Sequence, residues 1–325
     1  MSTAKKIRLP SDLFPEPPAG KTGWPWDVSL PKFPERMEDG SPWPKITLVT
    51  PNYNYGHFIE KTIRSVLLQG YPNLEFLVHD DGSTDNSREI ILKYQDFLTF
   101  SPDQNHGQSY QIAKGFESGT GEIFNWLNSD DYLLPGALKK VAEAWRRDRP
   151  DFVVGTTVQT DESGKELCVF KPKAPQSPFD FFKDYAVSLP QPSVFLSAKL
   201  LKQAGGVRRD LRYFMDWELY FRLYSTPGNI LKASVMNETL AHAVLHPQAK
   251  TASYGKILEK EFLALLKEQE NHQDQKLRRV INQQFNLRKT KSILSEFGQN
   301  GPVSTREFFQ QFKICPQLLL TRFGW

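Results

Sequence analysis

Three times in the first half of the chain, a short apolar run ends in a polar loop and helical spacing follows. Ile46–Thr50 leads into Pro51-Asn52-Tyr53-Asn54-Tyr55-Gly56, after which Ile59, Ile63, Val66 and Leu67 recur at helical intervals. Leu74–Val78 leads into His79-Asp80-Asp81-Gly82-Ser83-Thr84-Asp85, then Ile90, Ile91 and Tyr94. Ile123–Leu127 leads into Asn128-Ser129-Asp130-Asp131, and Pro135-Gly136 stops the strand where a helical pattern opens. Such alternation predicts an α/β fold, a parallel sheet with helices on both faces. The polar loops then gather at the carboxyl edge of the strands, where open α/β sheets bind ligands.

Adjacent carboxylates repel unless a cation or a proton relieves them. A divalent ion shared with a substrate diphosphate would satisfy Asp130 and Asp131 together. The plain alternative is a strand-to-helix turn, since Asp caps helices well. The same alternative holds for Asp216, which stands where the helical run Tyr213–Leu223 begins. Asn105-His106-Gly107-Gln108-Ser109 opens another helix, and its glycine permits either close approach to a ligand or an ordinary helix start. His242 and His246 lie near the end of a further strand-like run, where a structural role is the usual one for histidine.

The 325 residues are 39% hydrophobic and 24% charged, which fits a globular chain. A net charge of +4 permits anionic substrates but lacks the dense basic stripe of a nucleic-acid binder. Cys168 and Cys315 provide neither a disulfide framework nor a cysteine zinc site. No GxGxxG or Walker pattern is present, which argues against dinucleotide oxidoreductases and P-loop enzymes. No apolar run reaches transmembrane length, and no signal-peptide core opens the chain, so a cytoplasmic protein is expected.

Three regions are expected. Residues 1–44, rich in Pro and Trp, read as an irregular arm packed on the domain, with a disordered linker as the alternative. Residues 45–250 form the α/β domain, in which Asp161-Glu162-Ser163-Gly164 turns a hairpin between Phe152–Gln159 and Leu167–Phe170. Residues 251–325 read as a helical extension bearing Lys276, Arg278, Arg279, Arg288, Lys289 and Lys291, then Phe308, Phe309, Phe312 and Leu318–Leu320. That region suits a solvated helix packed on the domain, or peripheral contact with an anionic membrane surface.

Taken in order, Thr50-Pro51-Asn52-Tyr53-Asn54, Asp80–Asp85, Gly107-Gln108-Ser109, Asn128-Ser129-Asp130-Asp131, Gln191-Pro192-Ser193 and Met215-Asp216-Trp217-Glu218 resemble a family 2 glycosyltransferase. The resemblance spans about residues 45–250. It implies a GT-A fold with a Rossmann-like, mostly parallel central sheet, and inverting transfer from a nucleotide-diphosphate sugar, UDP-linked, to a glycan or lipid-linked acceptor. The setting it implies is bacterial polysaccharide biosynthesis, in the cytoplasm or peripheral to the inner membrane face. It implies that Thr50, Pro51, Tyr53, Asn54, Asp81, Gly107, Gln108 and Asp130 bind substrate. Asp81 would accept a base N–H, and Asp130 would meet ribose or sugar. Asp131 and His246 would hold Mn²⁺ or Mg²⁺. Asp216 would be the base that activates the acceptor hydroxyl, with Trp217 shielding the site or stacking on an acceptor sugar. His79 departs from the aliphatic residue common in the family, and Ala241-His242-Ala243-Val244 departs from its usual arginine.

The residues suit that chemistry on their own terms. A carboxylate-held cation stabilises a leaving diphosphate, and a second carboxylate can deprotonate a hydroxyl. Two other readings compete. Asp80-Asp81-Gly82-Ser83-Thr84 resembles a haloacid-dehalogenase phosphatase motif, but its nucleophile would stand at position 79, which is His. A non-catalytic nucleotide-sugar binding module would keep Asp81 and Asp131 without needing Asp216.

Overall fold

The computed structural model describes residues 14–183, 187–226, 228, 230–250 and 256–297. Among them, nine strands form one curled, mostly parallel sheet flanked by helices. Its order is β3 (Thr99–Pro102), β2 (Leu74–Asp80), β1 (Ile46–Asn52), β4 (Ile123–Trp126), β8 (Val194–Ser197), β6 (Phe152–Asp161), β9 (Ala233–Leu245) and β5 (Tyr132–Leu133). The run β3-β2-β1-β4 is parallel throughout, and β6 also runs parallel to β9. Strand β8 is antiparallel to both β4 and β6, and β7 (Glu166–Phe170) closes the expected hairpin on β6.

Alternation along the strands fills two cores. Ile46 and Leu48 enter one cluster while Val49 enters the other; Phe76 and Val78 oppose Leu77 in the same way. Successive strand side chains point to opposite faces, so a fully apolar run requires cover on both. On one face lie α1 (Ile59–Leu67), α2 (Ser87–Leu92) and α4 (Ala137–Asp148). On the other lie α3 (Gln108–Ser118), α5 (Ala198–Ala204), α6 (Met215–Ser225), α7 (Lys256–Glu268) and α8 (Gln275–Phe297). Gly115 lets α3 approach β1, because a Cβ there would sit 2.5 Å from Val49. Each fully buried Leu, Ile or Phe contributes about 1.5–3 kcal/mol.

The arm from residue 14 to 44 has no regular structure yet is fastened to the first core. Phe14, Met37 and Trp43 are buried in it, and Trp24 donates its indole N–H to the Leu133 carbonyl at 2.8 Å. The main anchor is Arg64, on α1 and wholly buried. Its guanidinium donates to the carbonyls of Pro15 (2.7 Å), Pro25 (3.1 Å) and Trp26 (2.9 Å), and to the Tyr94 hydroxyl (3.1 Å). Tyr94 in turn donates to Glu60 at 2.8 Å. Proline leaves carbonyls with no neighbouring N–H partner of its own, and one arginine fork collects three arm carbonyls.

In the extension, α7 and α8 pack on the second core through Leu258, Phe262, Leu265, Leu266, Leu277 and Ile281. The side chains of Lys289 and Lys291 lie outside the described residues, as do Cys315, Phe308, Phe309, Phe312 and Leu318–Leu320. No helix among the described residues is long and apolar enough to cross a membrane.

Candidate active site

The loops after β1, β2 and β4 meet at the carboxyl edge of the sheet around a cleft of about 830 Å³. Two polar staples shape its first wall. Asn54 adopts the left-handed region at φ 54°, which Asn tolerates better than most residues. Its Oδ1 accepts the Thr84 N–H at 2.8 Å, and its own N–H donates to Ser83 Oγ at 2.9 Å. Gly56 N–H donates to Asp85 at 2.8 Å. Pro51, Asn52, Tyr53 and Tyr55 are thereby presented along the wall, with Tyr53 46% exposed.

Asp80 and Asp81 divide between them the work of holding the strand end. Asp80 is fully buried and accepts from Asn52 Nδ2 (2.9 Å), Ser83 N (3.1 Å) and Arg88 Nε (2.6 Å). Asp81 lines the cleft and accepts from His106 N and Gly107 N, each at 2.8 Å, and from Gln111 Nε2 at 2.7 Å. Gly107, at φ 97°, makes the turn that aims these two N–H groups at one carboxylate. Gln108 next bridges the cleft, donating to Asn128 Oδ1 at 2.6 Å and accepting from Lys250 Nζ at 2.7 Å.

On the floor, Asp130 and Asp131 point to different partners. His246 Nε2 lies 3.2 Å from Asp130 Oδ2, and its ring packs on Phe58 at 4.3 Å. Asp131 accepts the Val244 N–H and the Asn128 amide, each at 3.2 Å. Asp131 is 5% exposed, so it joins β9 to the end of β4 as well as facing the cleft. His246 therefore pairs with Asp130 here, where the family resemblance placed it with Asp131. Carboxylate and imidazole are donor types a divalent cation accepts, and a set of two, such as Asp131 and His246, would leave most positions to substrate oxygens and water. Among the described residues, no three His, Cys, Asp or Glu side chains converge on one point.

The second wall comes from Thr157, Gln191, Pro192, Arg209–Arg212 and Gln248–Lys250. Asp210 is exposed there, and the hydrogen bonds from Arg208 hold its carboxyl below the usual range. Asp216 lies in the first turn of α6, shortly after Arg209–Arg212 in the chain, 1% exposed and outside the lining. Its Oδ1 accepts the Trp217 N–H at 2.8 Å. It is not the N-cap, which is Phe214.

Several expectations change. Thr50 is buried within β1 and does not line the cleft. Trp217 is core: it is 3% exposed, stacked on Phe221 at 5.0 Å and edged by Phe262. It therefore has no face for an acceptor sugar. Glu218 is held at both oxygens by Arg222, at 2.7 and 2.9 Å. Pro51, Tyr53, Asn54, Asp81, Gly107, Gln108, Asp130 and Asp131 meet on the lining, and His246 sits just beneath. Sequence reasoning missed Gln111, Lys250, Arg209 and Arg212, which belong to no motif; the only signal was the basic cluster from Arg208 to Arg212.

The model of "Glycosyl transferase family 2" matches residues 47–191. A Campylobacter jejuni relative, a GalNAc(5)-diNAcBac-PP-undecaprenol beta-1,3-glucosyltransferase, is 31% identical over 105 residues, 31% of this chain and 34% of that one. An uncharacterized Nostoc glycosyltransferase is 36% identical over 109 residues, 31% of this chain, and the chain spans only a third of its length. Among solved structures, S. aureus TarS 1-349 in complex with UDP-GlcNAc superposes with TM-score 0.60 at 19% identity, covering 86% of this chain and 79% of that one. The Pyrobaculum calidifontis mannosyltransferase PcManGT, in complex with GDP-Man and Mn²⁺, gives TM-score 0.54 at 14% identity, covering 86% and 84%. The strand-end motifs thus stand on one cleft within a GT-A fold, and the stretch that carries most of them, residues 47–191, is similar to glycosyl transferase family 2.

Proposed function

We infer that the chain is an inverting glycosyltransferase that moves a sugar from a UDP-sugar to a hydroxyl of a glycan or lipid-linked acceptor, in bacterial polysaccharide biosynthesis. The observation that carries this reading is one cleft in which exposed Tyr53, Asp81 and the Asp130–His246 pair stand together. Pro51 and Tyr53 offer a flat surface to the base. Asp81 has three donors on a carboxylate with about four acceptor sites, leaving one for a base N–H. Asp130 orients the sugar or ribose. Asp131 and His246 would hold Mn²⁺ or Mg²⁺, which when bound offsets the charge growing on the leaving diphosphate.

Asp216 takes the proton of the acceptor hydroxyl. Glu218 is occupied by Arg222, and the Asp210 carboxyl is kept a weak base by Arg208. Because Asp216 is 1% exposed and outside the lining, bulk water is kept from the base and the acceptor reaches it only as the residues covering it move aside. The TarS and PcManGT complexes support the donor and metal classes, and the C. jejuni relative supports a lipid-linked acceptor. A lipid-linked acceptor would be met by the enzyme as a peripheral protein at the cytoplasmic face of the membrane.

The test is a thermal-shift panel of UDP-, GDP- and dTDP-sugars with and without Mn²⁺, followed by nucleotide release. A ligand that binds only the folded state raises the midpoint. A UDP-sugar with Mn²⁺ should raise it most and release UDP. A shift without turnover would identify a binding module instead, and no shift with any nucleotide sugar would overturn the donor class.

A further inference from the structure

Helix α6 begins without a cap of its own, since the side chain of Phe214 at the N-cap position makes no hydrogen bond. The first N–H groups of a helix need partners from outside it. Here one carboxylate from the C-terminal extension holds the three residues that lead into the helix, the N-cap Phe214 among them. Glu261, half-buried on α7, accepts the Arg212 N–H at Oε2 and the Tyr213 and Phe214 N–H groups at Oε1, each at 2.8 Å. Phe262 packs beside it on Phe214 and Trp217, both at 5.1 Å. From the other side, the Ser109 hydroxyl at the start of α3 donates to the Leu211 carbonyl. Residues 211–214 are thus gripped from both sides, and Asp216 follows two residues on.

We propose that Glu261 is a positioning residue for the transfer reaction, fixing the segment that leads into α6 and with it the place of Asp216 in the first turn. The proposal rests on Asp216 as the base. A carboxylate is the group suited to this role: it has two oxygens with room for three donors, its hydrogen bonds are charge-assisted, and its charge faces the positive end of the helix. Glu261 does not line the cleft, so it acts through α6 and not on substrate. Its effect on rate follows from geometry, since a displacement of about 1 Å at a reacting group costs on the order of 10²-fold.

Glu261→Gln keeps shape and one acceptor oxygen; Glu261→Ala removes the grip. In the full chain, UDP affinity should stay within about twofold, because both changes lie off the lining. Transfer per UDP-binding site should fall about tenfold in Glu261→Gln and about 10²-fold in Glu261→Ala, on the scale of a misplaced base. Hydrolysis of the donor by water should survive in both. If Glu261→Ala fails to fold, Glu261→Gln decides alone. A lower melting temperature with unchanged turnover per UDP-binding site would overturn the proposal, because a purely structural role predicts that pattern. Asp216→Asn run alongside separates the two readings. If it is dead while Glu261→Gln is normal, positioning fails and the base stands. If Asp216→Asn is fully active, the base reading fails, and positioning fails with it.

Discussion

His246 faces Asp130 across 3.2 Å, while Asp131, the next residue, is turned toward the Val244 N–H. Two adjacent acids thus have separate partners, both supplied from the carboxyl end of β9. Asp131→Asn keeps an oxygen for Val244 and loses the charge. The Mn²⁺-dependent part of UDP binding should drop about tenfold or more, roughly 1.4 kcal/mol. Asp131→Ala should in addition destabilise the fold by about 1–3 kcal/mol, because the Val244 N–H is left buried without that acceptor. Calorimetry with and without Mn²⁺ checks the first effect; unchanged metal dependence in Asp131→Asn would sink the metal role.

Asp81 carries two roles that one substitution can divide. Asp81→Asn retains one acceptor oxygen and loses the other, so either His106 or Gly107 gives up its bond. UDP affinity should fall about tenfold, within the 1–3 kcal/mol for an unpaired hydrogen bond. A lowered melting temperature with an unchanged dissociation constant for UDP would show that Asp81 only fastens the loop.

Arg64→Met should release the arm. It removes the donor to the carbonyls of Pro15, Pro25 and Trp26 in one step. Several buried acceptors left unpaired cost about 3 kcal/mol or more in total. Urea unfolding should show the loss, and limited proteolysis should cut between residues 14 and 44 before the rest of the chain. An unshifted midpoint and an uncut arm would contradict the anchor.

His79 should give the fold an acid-side slope. Burial, reinforced by nearby Lys114, pushes its pKa from 6.5 down to about 4. As pH falls through 6.5, the unfolded chain takes up a proton that the folded chain refuses until about pH 4. The unfolded state holds more protons across that window, so stability falls as pH falls. At pH 5 the group accounts for about 2 kcal/mol of loss relative to pH 7. His79→Val should remove that part of the slope in urea unfolding at the two pH values. Equal slopes in both proteins would refute the assignment.

Much of this was legible in advance where one residue type dictates one structure. Strands β1, β2 and β4 were readable because their apolar runs need cover on both faces. Strand β3, Thr99–Pro102, escaped because it is polar and exists by pairing with the edge of β2. Strand β5, two residues long, has no period to read and is made by β9. The acids of the cleft announced themselves as strand-end motifs, but their partners did not. Nothing in Asp216 says that the segment leading into its helix is held from α7, and nothing in Trp217 distinguishes a sugar platform from a core ring. Thr50 stood within a motif, yet strand geometry buries it and leaves the wall to Pro51, Asn52 and Tyr53.

The grip of Glu261 on α6 also sets an order of events during synthesis. Domains generally fold as units, and amino-terminal parts of a chain are available to fold first during synthesis. The arm, Arg64 and the loops that would hold the nucleotide all precede α6, and the partners they take from later in the chain, among them Gln191, Leu211, His246, Gln248 and Lys250, all precede Glu261. The amides of residues 212–214 must wait for α7. A nascent chain halted before Glu261 would therefore present a nearly complete nucleotide wall beside an unanchored α6. Donor recognition and transfer would then mature at separate moments, the second coming only as the carboxyl end of the chain is made.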